Sequence, residues 1–526
     1  MAKLAPGVTF EDAPSDRLFN YAGVDAIVTL DILRQMWPTL SATPDYTEFD
    51  KGVPRKVKVP SIASELINVK SKAVQFVVNM EVEGLVFDIE KNRTMAAEME
   101  AELNQLEGEI FEAIGRKINL ASGLEVAKLL YVTYGLDCPK QTKGGEESVD
   151  DDALEMLSEK YPQHKWLALI NRRKNVSSVY NSYVRSYVQD WVKRDGKVHP
   201  EYNLHGTGSH RISSNNPNML ALPRPDSCPP YDVRSQFIAP WGYVFVTFDF
   251  SSCEVKVLAA RCRDPEMLKA IREGKDFHTY TASLINGLNY DEMHHVLEST
   301  KAQLAESLSL QKTFKRYKKL RQAAKAVTFG ILYGSSVRAI ALLLEITESE
   351  AQAIVDAYFR IYPGIQNFVN NCHKMAAANH YVYSPFGQRK MEFGTLPVFK
   401  RTAAYNAALR NSQNVSIQGP ASTLGLLAFC KIDEELRKIG GGVACTVYDS
   451  IEMYVPIDRV AEAIELSFYC MDDWPVETFD WLDFPIGSDA EIGFDWGGSL
   501  SKVHRGITQE QCLDILRDVS PERFEA

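Results

Sequence analysis

The run YVFVTFDF, residues 243–250, alternates Val244, Val246 and Phe248 with Phe245, Thr247 and Asp249. A period of two predicts a strand, and this one runs into an aspartate. Further on, GVACTV (442–447) and IEMYVP (451–456) flank the tripeptide YDS, which predicts a hairpin with Asp449 in its tight turn. Most other patterning is helical. Residues 16–37 place Leu18, Tyr21, Ala22, Val24, Val28 and Ile32 near one face. Residues 62–117 read as long amphipathic helices, interrupted at VEGLVFD (82–88) and clearest in EMEAELNQLEGEIFEAIG (98–115). A Tyr/Val-rich helix covers 175–192, and 262–380 is mostly helical. Three stretches break the pattern: the basic, Pro-containing connector DKGVPRKVKVPS (50–61), the loop KQTKGGEESVDDD (140–152), and NLHGTGSHRISSNNPNMLALPRP (203–225), whose Gly, Ser, Asn and Pro predict a shaped loop.

The length, 526 residues, suits two to four domains. Hydrophobic content of 45% and charged content of 24% are ordinary for a globular chain. The net charge of −11 argues weakly against nucleic-acid binding as a sum, but local patches matter more. The nine cysteines are scattered, without a CxxC pair, and read as reduced thiols of a cytoplasmic protein. The first residues carry no apolar signal core, and no run of about 18 apolar residues exists, so no membrane span is expected.

Chemistry enters with the two aspartates. An aspartate at the mouth of a buried strand is costly unless its charge is compensated, and a metal is the usual compensator. Asp249 and Asp449 each end a β element. If those strands are neighbours, the carboxylates converge and can hold two Mg²⁺ ions about 3.5–4 Å apart, the clamp for in-line phosphoryl transfer. Either aspartate alone could equally cap a turn. A third element is KTFKRYKKLRQAAKAVTFGILYG, residues 312–334. Arg321, Lys325 and Phe329 fall at i, i+4 and i+8 on a helix, about 40° apart per step, and Tyr333 continues the series. One face thus offers two cations and then two aromatics, suited to a triphosphate and a stacked base.

These residues resemble a known family. DFSSCEVK (249–256) resembles motif A of family A DNA polymerases, the bacterial DNA polymerase I type, usually DYSQIELR. RQAAKAVTFGILYG (321–334) is similar to motif B, RRxxKxxNFGxxYG, and VYDS (447–450) to motif C, VHDE. The flanks agree in order: HRISSNNPNM resembles TGRLSSTDPNL, AYFRIYPGI resembles YFxRYPG, and NVSIQGPAS resembles NAPMQGTAA. The resemblance runs from about residue 15 to 500, and several motifs in order are far more specific than any one alone.

The resemblance implies an α+β, multidomain chain with the right-hand polymerase fold: an antiparallel-sheet palm with helical fingers and thumb. It implies a remnant of a 3′–5′ exonuclease domain or a docking stub over 1–45, a linker over 46–64, a thumb over 65–197, palm over 198–261 and 411–504, fingers over 262–410, and a tail over 505–526. Asp249 and Asp449 would be the metal ligands, with the carbonyl of Phe250 assisting, for two Mg²⁺ ions that Mn²⁺ can replace. One ion would activate the primer 3′-hydroxyl and the other would hold the triphosphate. Arg321, Lys325 and His278 (in GKDFHTY) would contact phosphate, with Lys325 also an acid toward the leaving group. Phe329 would pack on the nucleotide, Tyr333 would guard the template-base position, and Glu254 would be the steric gate against a ribose. Arg211, Asn414 and Gln418 would read the minor groove at the primer terminus, with Tyr448 in motif C beside the DNA.

Departures from the family pattern are specific. Tyr448 and Ser450 replace the His and Glu of motif C, and losing the Glu removes a carboxylate near the metals. Phe250 removes a hydroxyl that would normally help fix Glu254, and Ser252 and Lys256 also differ from motif A. Residues 289–315 look like an insertion, and 505–526 like an added tail, read as a packed helix in preference to a partner-docking one. Tyr21 and Asp25 are similar to the YxxxD of a proofreading exonuclease whose other carboxylates the sequence lacks. The expected enzyme is therefore a primer-extending, dNTP-using polymerase without proofreading in this chain, suited to a phage-type source and the cytoplasm of a bacterial host. A separate exonuclease subunit or processivity factor is an expected partner. A single-subunit RNA polymerase and a catalytically silent primer–template scaffold are the alternatives. Glu254 argues against the first and the retained Asp249, Asp449 and Lys325 against the second.

Overall fold

The computed structural model describes residues 15–524 apart from 44, 51–52, 60, 143, 388 and 391–401. The chain opens with helix α1 (Ser15–Ser41). The side chains of Tyr21 and Asp25, singled out above, lie outside the described residues. A ribbon follows where the sequence suggested a linker: β1 (Asp45–Asp50) pairs antiparallel with β2 (Val53–Lys58). Its anchor is Tyr46, fully buried against the rings of Tyr381 and Tyr383 at 5.2 and 4.8 Å. A connector read from its Pro and Lys content thus gains structure from a partner 335 residues away, which local pattern does not reveal.

Helix α2 (Ser71–Glu83) and helix α3 (Ile89–Ile114) are separated at the interruption seen in the sequence. Gly84 supplies the break: its φ is +63°, and a Cβ there would lie 2.6 Å from the His199 ring. Asp88 then caps α3 by accepting from the Lys91 N–H at 2.9 Å. α3 packs along α4 (Trp166–Val179), and around their far ends Ile110, Leu129, Leu154, Leu157 and Leu167 form a core separate from the main one.

The main core surrounds a five-stranded antiparallel sheet. Its strands are β3 (Tyr243–Phe250), β4 (Gly442–Val447), β5 (Ser450–Pro456), β6 (Ser488–Gly493) and β7 (Ser501–Val503), in the order β4-β5-β3-β6-β7. β3 lies at the centre, so Val244, Phe245, Val246 and Phe248 are all buried and the polar exceptions, Thr247 and Asp249, stand out. A short α5 (Cys253–Cys262) leaves the end of β3. The helical region that follows includes α6 (Phe277–Asn286), α7 (Leu308–Leu332) and α8 (Pro363–Asn379). Before α7 lie two short helices, Tyr290–Leu297 and Lys301–Glu306, and a small cluster forms around Met293, Tyr317 and Ala324. The long α9 (Ala403–Leu436) returns the chain to the sheet, and α10 (Val460–Phe468) covers β3. The tail is packed: α11 (Gln509–Val519) buries Cys512 and Leu516, and Gln509 bonds Ala461 N–H and the Ile457 carbonyl.

Candidate active site

Strand register brings the two aspartates together. Asp249 lies opposite Ser450 of β5 and Asp489 of β6. Asp449 occupies the two-residue turn between β4 and β5, and the Phe250 N–H donates to its carbonyl at 3.1 Å. Tyr448, the other turn residue, has φ +60°, which a two-residue hairpin of this hand requires. Ser252, between β3 and α5, is also left-handed at φ +57°. Such conformations cost energy in non-glycine residues and cluster at sites the fold over-determines.

The site is acidic. Asp249 reaches the surface of its cleft, yet the walls strip most of its hydration. Burial, then Asp449, Glu452 and Asp489, push its carboxyl up to about 7, against the pull of Arg224. Burial also raises Asp449, opposed by its own backbone hydrogen bond and by Arg211 and Arg224. Carboxylates that repel each other in a cleft fit a divalent cation. Among the described residues, no three His, Cys, Asp or Glu side chains form a metal cage by themselves.

A second set of residues is strung along the cleft. Glu254, in the first turn of α5, accepts from the Tyr333 hydroxyl at 2.8 Å and pairs with Arg211. Arg211 also lies over the Tyr448 ring, 5.5 Å from its centroid, and Gln418 hydrogen-bonds the Tyr333 hydroxyl. The Phe250 side chain, by contrast, is buried and stacks on Phe429 at 6.1 Å. Glu254 is thus fixed by Tyr333 and Arg211 rather than by its motif A neighbour. Asn414, one turn before Gln418 on α9, carries a buried side-chain oxygen with no partner among the described residues.

On α7 the cation-to-aromatic series is present with one change of role. Lys325 is exposed, 5.8 Å from the Phe329 ring centroid, and has no carboxylate partner among the described residues. The Phe329 and Tyr333 rings are 5.8 Å apart. Arg321 is already engaged: it grips both oxygens of Asp276 at 2.8 and 3.0 Å. Burial alone would raise the Asp276 carboxyl, but Arg321 and Thr279 hold it at about 2. His278 is only 3% exposed and packs 5.7 Å from Phe329, so it lies behind the cleft surface.

Three participants escaped the sequence reading. Asp276 was visible within GKDFHTY but not as the partner of Arg321. Arg224 lies in the loop before β3 and lines the cleft with Asp249 and Asp449. Glu452 is a lone acid in the apolar strand IEMYV, which was the available signal. It is 1% exposed and accepts from Thr247 at 2.6 Å and Ser450 at 2.9 Å, while burial pushes its carboxyl up to about 7.

The chain matches the profile of DNA polymerase family A over residues 89–498. It is 29% identical over 422 residues to a thermostable DNA polymerase I of Thermus filiformis, covering 80% of this chain and 46% of the relative. With DNA polymerase I of Pseudomonas aeruginosa it shares 25% identity over 498 residues, covering 94% and 49%. The chain thus spans about half the length of the curated relatives it matches. In structure it is similar to the POL domain of Pol1 from M. smegmatis, solved in complex with DNA primer-template and dNTP, with a TM-score of 0.70, 23% identity, and coverage of 82% of this chain and 71% of that one. The architecture is the right-hand polymerase fold, with the five-stranded sheet as its palm. The chain belongs to DNA polymerase family A.

Proposed function

We propose that this chain is a template-directed DNA polymerase that extends a primer 3′-hydroxyl with dNTPs. The observation that carries the reading is the register that sets Asp249 beside the Asp449 turn, with Phe250 N–H bonded to the Asp449 carbonyl. Asp249, Asp449 and the Phe250 carbonyl would hold two Mg²⁺ ions, with Mn²⁺ able to substitute. Bound there, the ions supply Lewis acidity that eases loss of the 3′-hydroxyl proton and carries triphosphate charge.

The protein's own groups do the rest. Lys325, free of a carboxylate partner among the described residues, binds the triphosphate and holds a proton for the leaving pyrophosphate. Phe329 offers a face to the nucleotide. Glu254, held from two sides, blocks the space that a ribose 2′-hydroxyl would need. Arg211, Asn414 and Gln418 read the minor-groove edge of the primer terminus, where acceptors are shared by all correct pairs. Arg321 braces Asp276 and His278 behind the cleft, and it reaches phosphate only if that ion pair opens. On this reading 65–197 is the thumb, 262–410 the fingers, and the segments on either side of the fingers the palm.

Extension of a labelled primer on a DNA template with Mg²⁺ tests this, in parallel lanes of dNTPs, rNTPs and no nucleotide. Growth with dNTPs alone is expected, without shortening in the empty lane. Growth with rNTPs would point to the RNA polymerase alternative. No growth in any lane would sink the enzymatic reading.

A further inference from the structure

Glu452 is not explained by packing alone. In an antiparallel sheet, residues opposite each other share a face, and residues two apart on one strand do too. Glu452 pairs with Thr247, and Ser450 pairs with Asp249. Glu452, Ser450, Thr247 and Asp249 therefore form one square on the cleft side of the sheet. Glu452 lies one pleat, about 6.7 Å, below the row that carries Asp249. Its two oxygens are spoken for: one accepts from Ser450 and the other from Thr247. The same cavity is lined by Asp249, Asp449, Ser450 and Glu452.

A buried carboxylate needs a compensating charge. The Arg234 charge acts on Glu452 through space, but its guanidinium donates to the carbonyls of Pro223 and Leu222 and stacks 4.8 Å from the Trp496 ring. Among the described residues no cation makes an ion pair with Glu452. The sequence adds a second point. The motif quoted above places a Glu directly after the motif C aspartate, where this chain has Ser450. A strand position two residues on shares that face, and there this chain has Glu452.

Resting on the metal-dependent reading above, we propose that Glu452 is a positioning residue for the divalent-cation site, supplying from one pleat lower, through Ser450 and Thr247, the negative charge that the residue after Asp449 no longer carries. It does not ligate the ion. It raises the cation affinity of the cleft and fixes the Thr247–Asp249 strand segment through its hydroxyl bonds.

The test titrates Mn²⁺ into the complex of full-length protein, dideoxy-terminated primer–template and the matching dNTP, reading free Mn²⁺ by electron paramagnetic resonance. Glu452→Gln removes the charge at nearly unchanged shape, its Oε1 still accepting from one hydroxyl while its NH2 can only donate to the other; Mn²⁺ affinity should fall roughly fivefold, as for one charge about 7 Å away in a partly screened cleft. Returning a carboxylate to the row above, in the double variant S450E/E452Q, should restore affinity to within about twofold. The KM for dNTP at saturating metal should not move. Wild-type affinity in E452Q overturns the proposal, and so does a double variant no better than E452Q. If E452Q melts early, Ser450→Ala carries the test, and unchanged Mn²⁺ affinity there also overturns it. Asp249→Asn separates the two levels of inference. If it binds Mn²⁺ like wild type, the metal-site reading itself fails; if it loses binding while E452Q does not, only the role of Glu452 fails.

Discussion

The Tyr333 hydroxyl donates to Glu254 Oε2 at 2.8 Å, joining the end of the motif B helix to the first turn of the motif A helix. With Arg211 on the other oxygen, Glu254 is clamped between the end of α7 and the loop before β3. Removing the Glu254 side chain should therefore open sugar selection. Glu254→Ala is expected to raise rNTP relative to dNTP incorporation by roughly 100-fold. Tyr333→Phe should give a change of only a few-fold in the same direction, because Tyr333 is 39% exposed and water replaces part of the lost bond. Steady-state kcat/KM for matched rNTP and dNTP pairs measures both.

Asp249→Asn and Asp449→Asn should each reduce primer extension by about 1000-fold or more, since several kcal/mol of metal-borne charge stabilisation is lost. Primer–template binding should stay within a few-fold of wild type, because affinity for DNA comes mainly from phosphate contacts elsewhere. Single-turnover extension and fluorescence anisotropy report the two effects separately.

His278 should make stability depend on pH. Burial, then the charges of Arg321 and Lys325, lower its pKa to about 4, while Asp276 opposes them. Its folded pKa lies below the unfolded value of about 6.5, so the folded state favours the neutral ring. That stability is fully present above about 6.5 and is lost as pH falls toward 4. Replacing His278 by Gln should flatten the decline of Tm between pH 6.5 and 4 relative to wild type, as followed by thermal melts.

Gly334, just after Tyr333, has φ +68°, and a Cβ there would approach Arg410 Cγ to 2.5 Å. Gly334→Ala should cost about 1–2 kcal/mol from the left-handed backbone alone. Chemical denaturation measures that loss, and extension rates should fall as well, because Gly334 sets the exit of the helix that presents Tyr333.

The sequence by itself determined the local elements and the order of the chemistry. The period-two run located β3, and two apolar, β-prone runs around the YDS turn located the β4–β5 hairpin, because such patterns are local properties. The helical spacing of Lys325, Phe329 and Tyr333 likewise survived into one continuous face. What the tertiary structure decided were the pairings between distant residues. Arg321 could not be seen to spend its charge on Asp276, nor Tyr46 to anchor a ribbon against Tyr381 and Tyr383. Glu452 looked like an odd acid in an apolar strand until Thr247, 205 residues earlier, was found bonded to it. Partners so far apart meet through strand register and helix packing, which depend on the whole core closing and leave no mark in any one window of the chain.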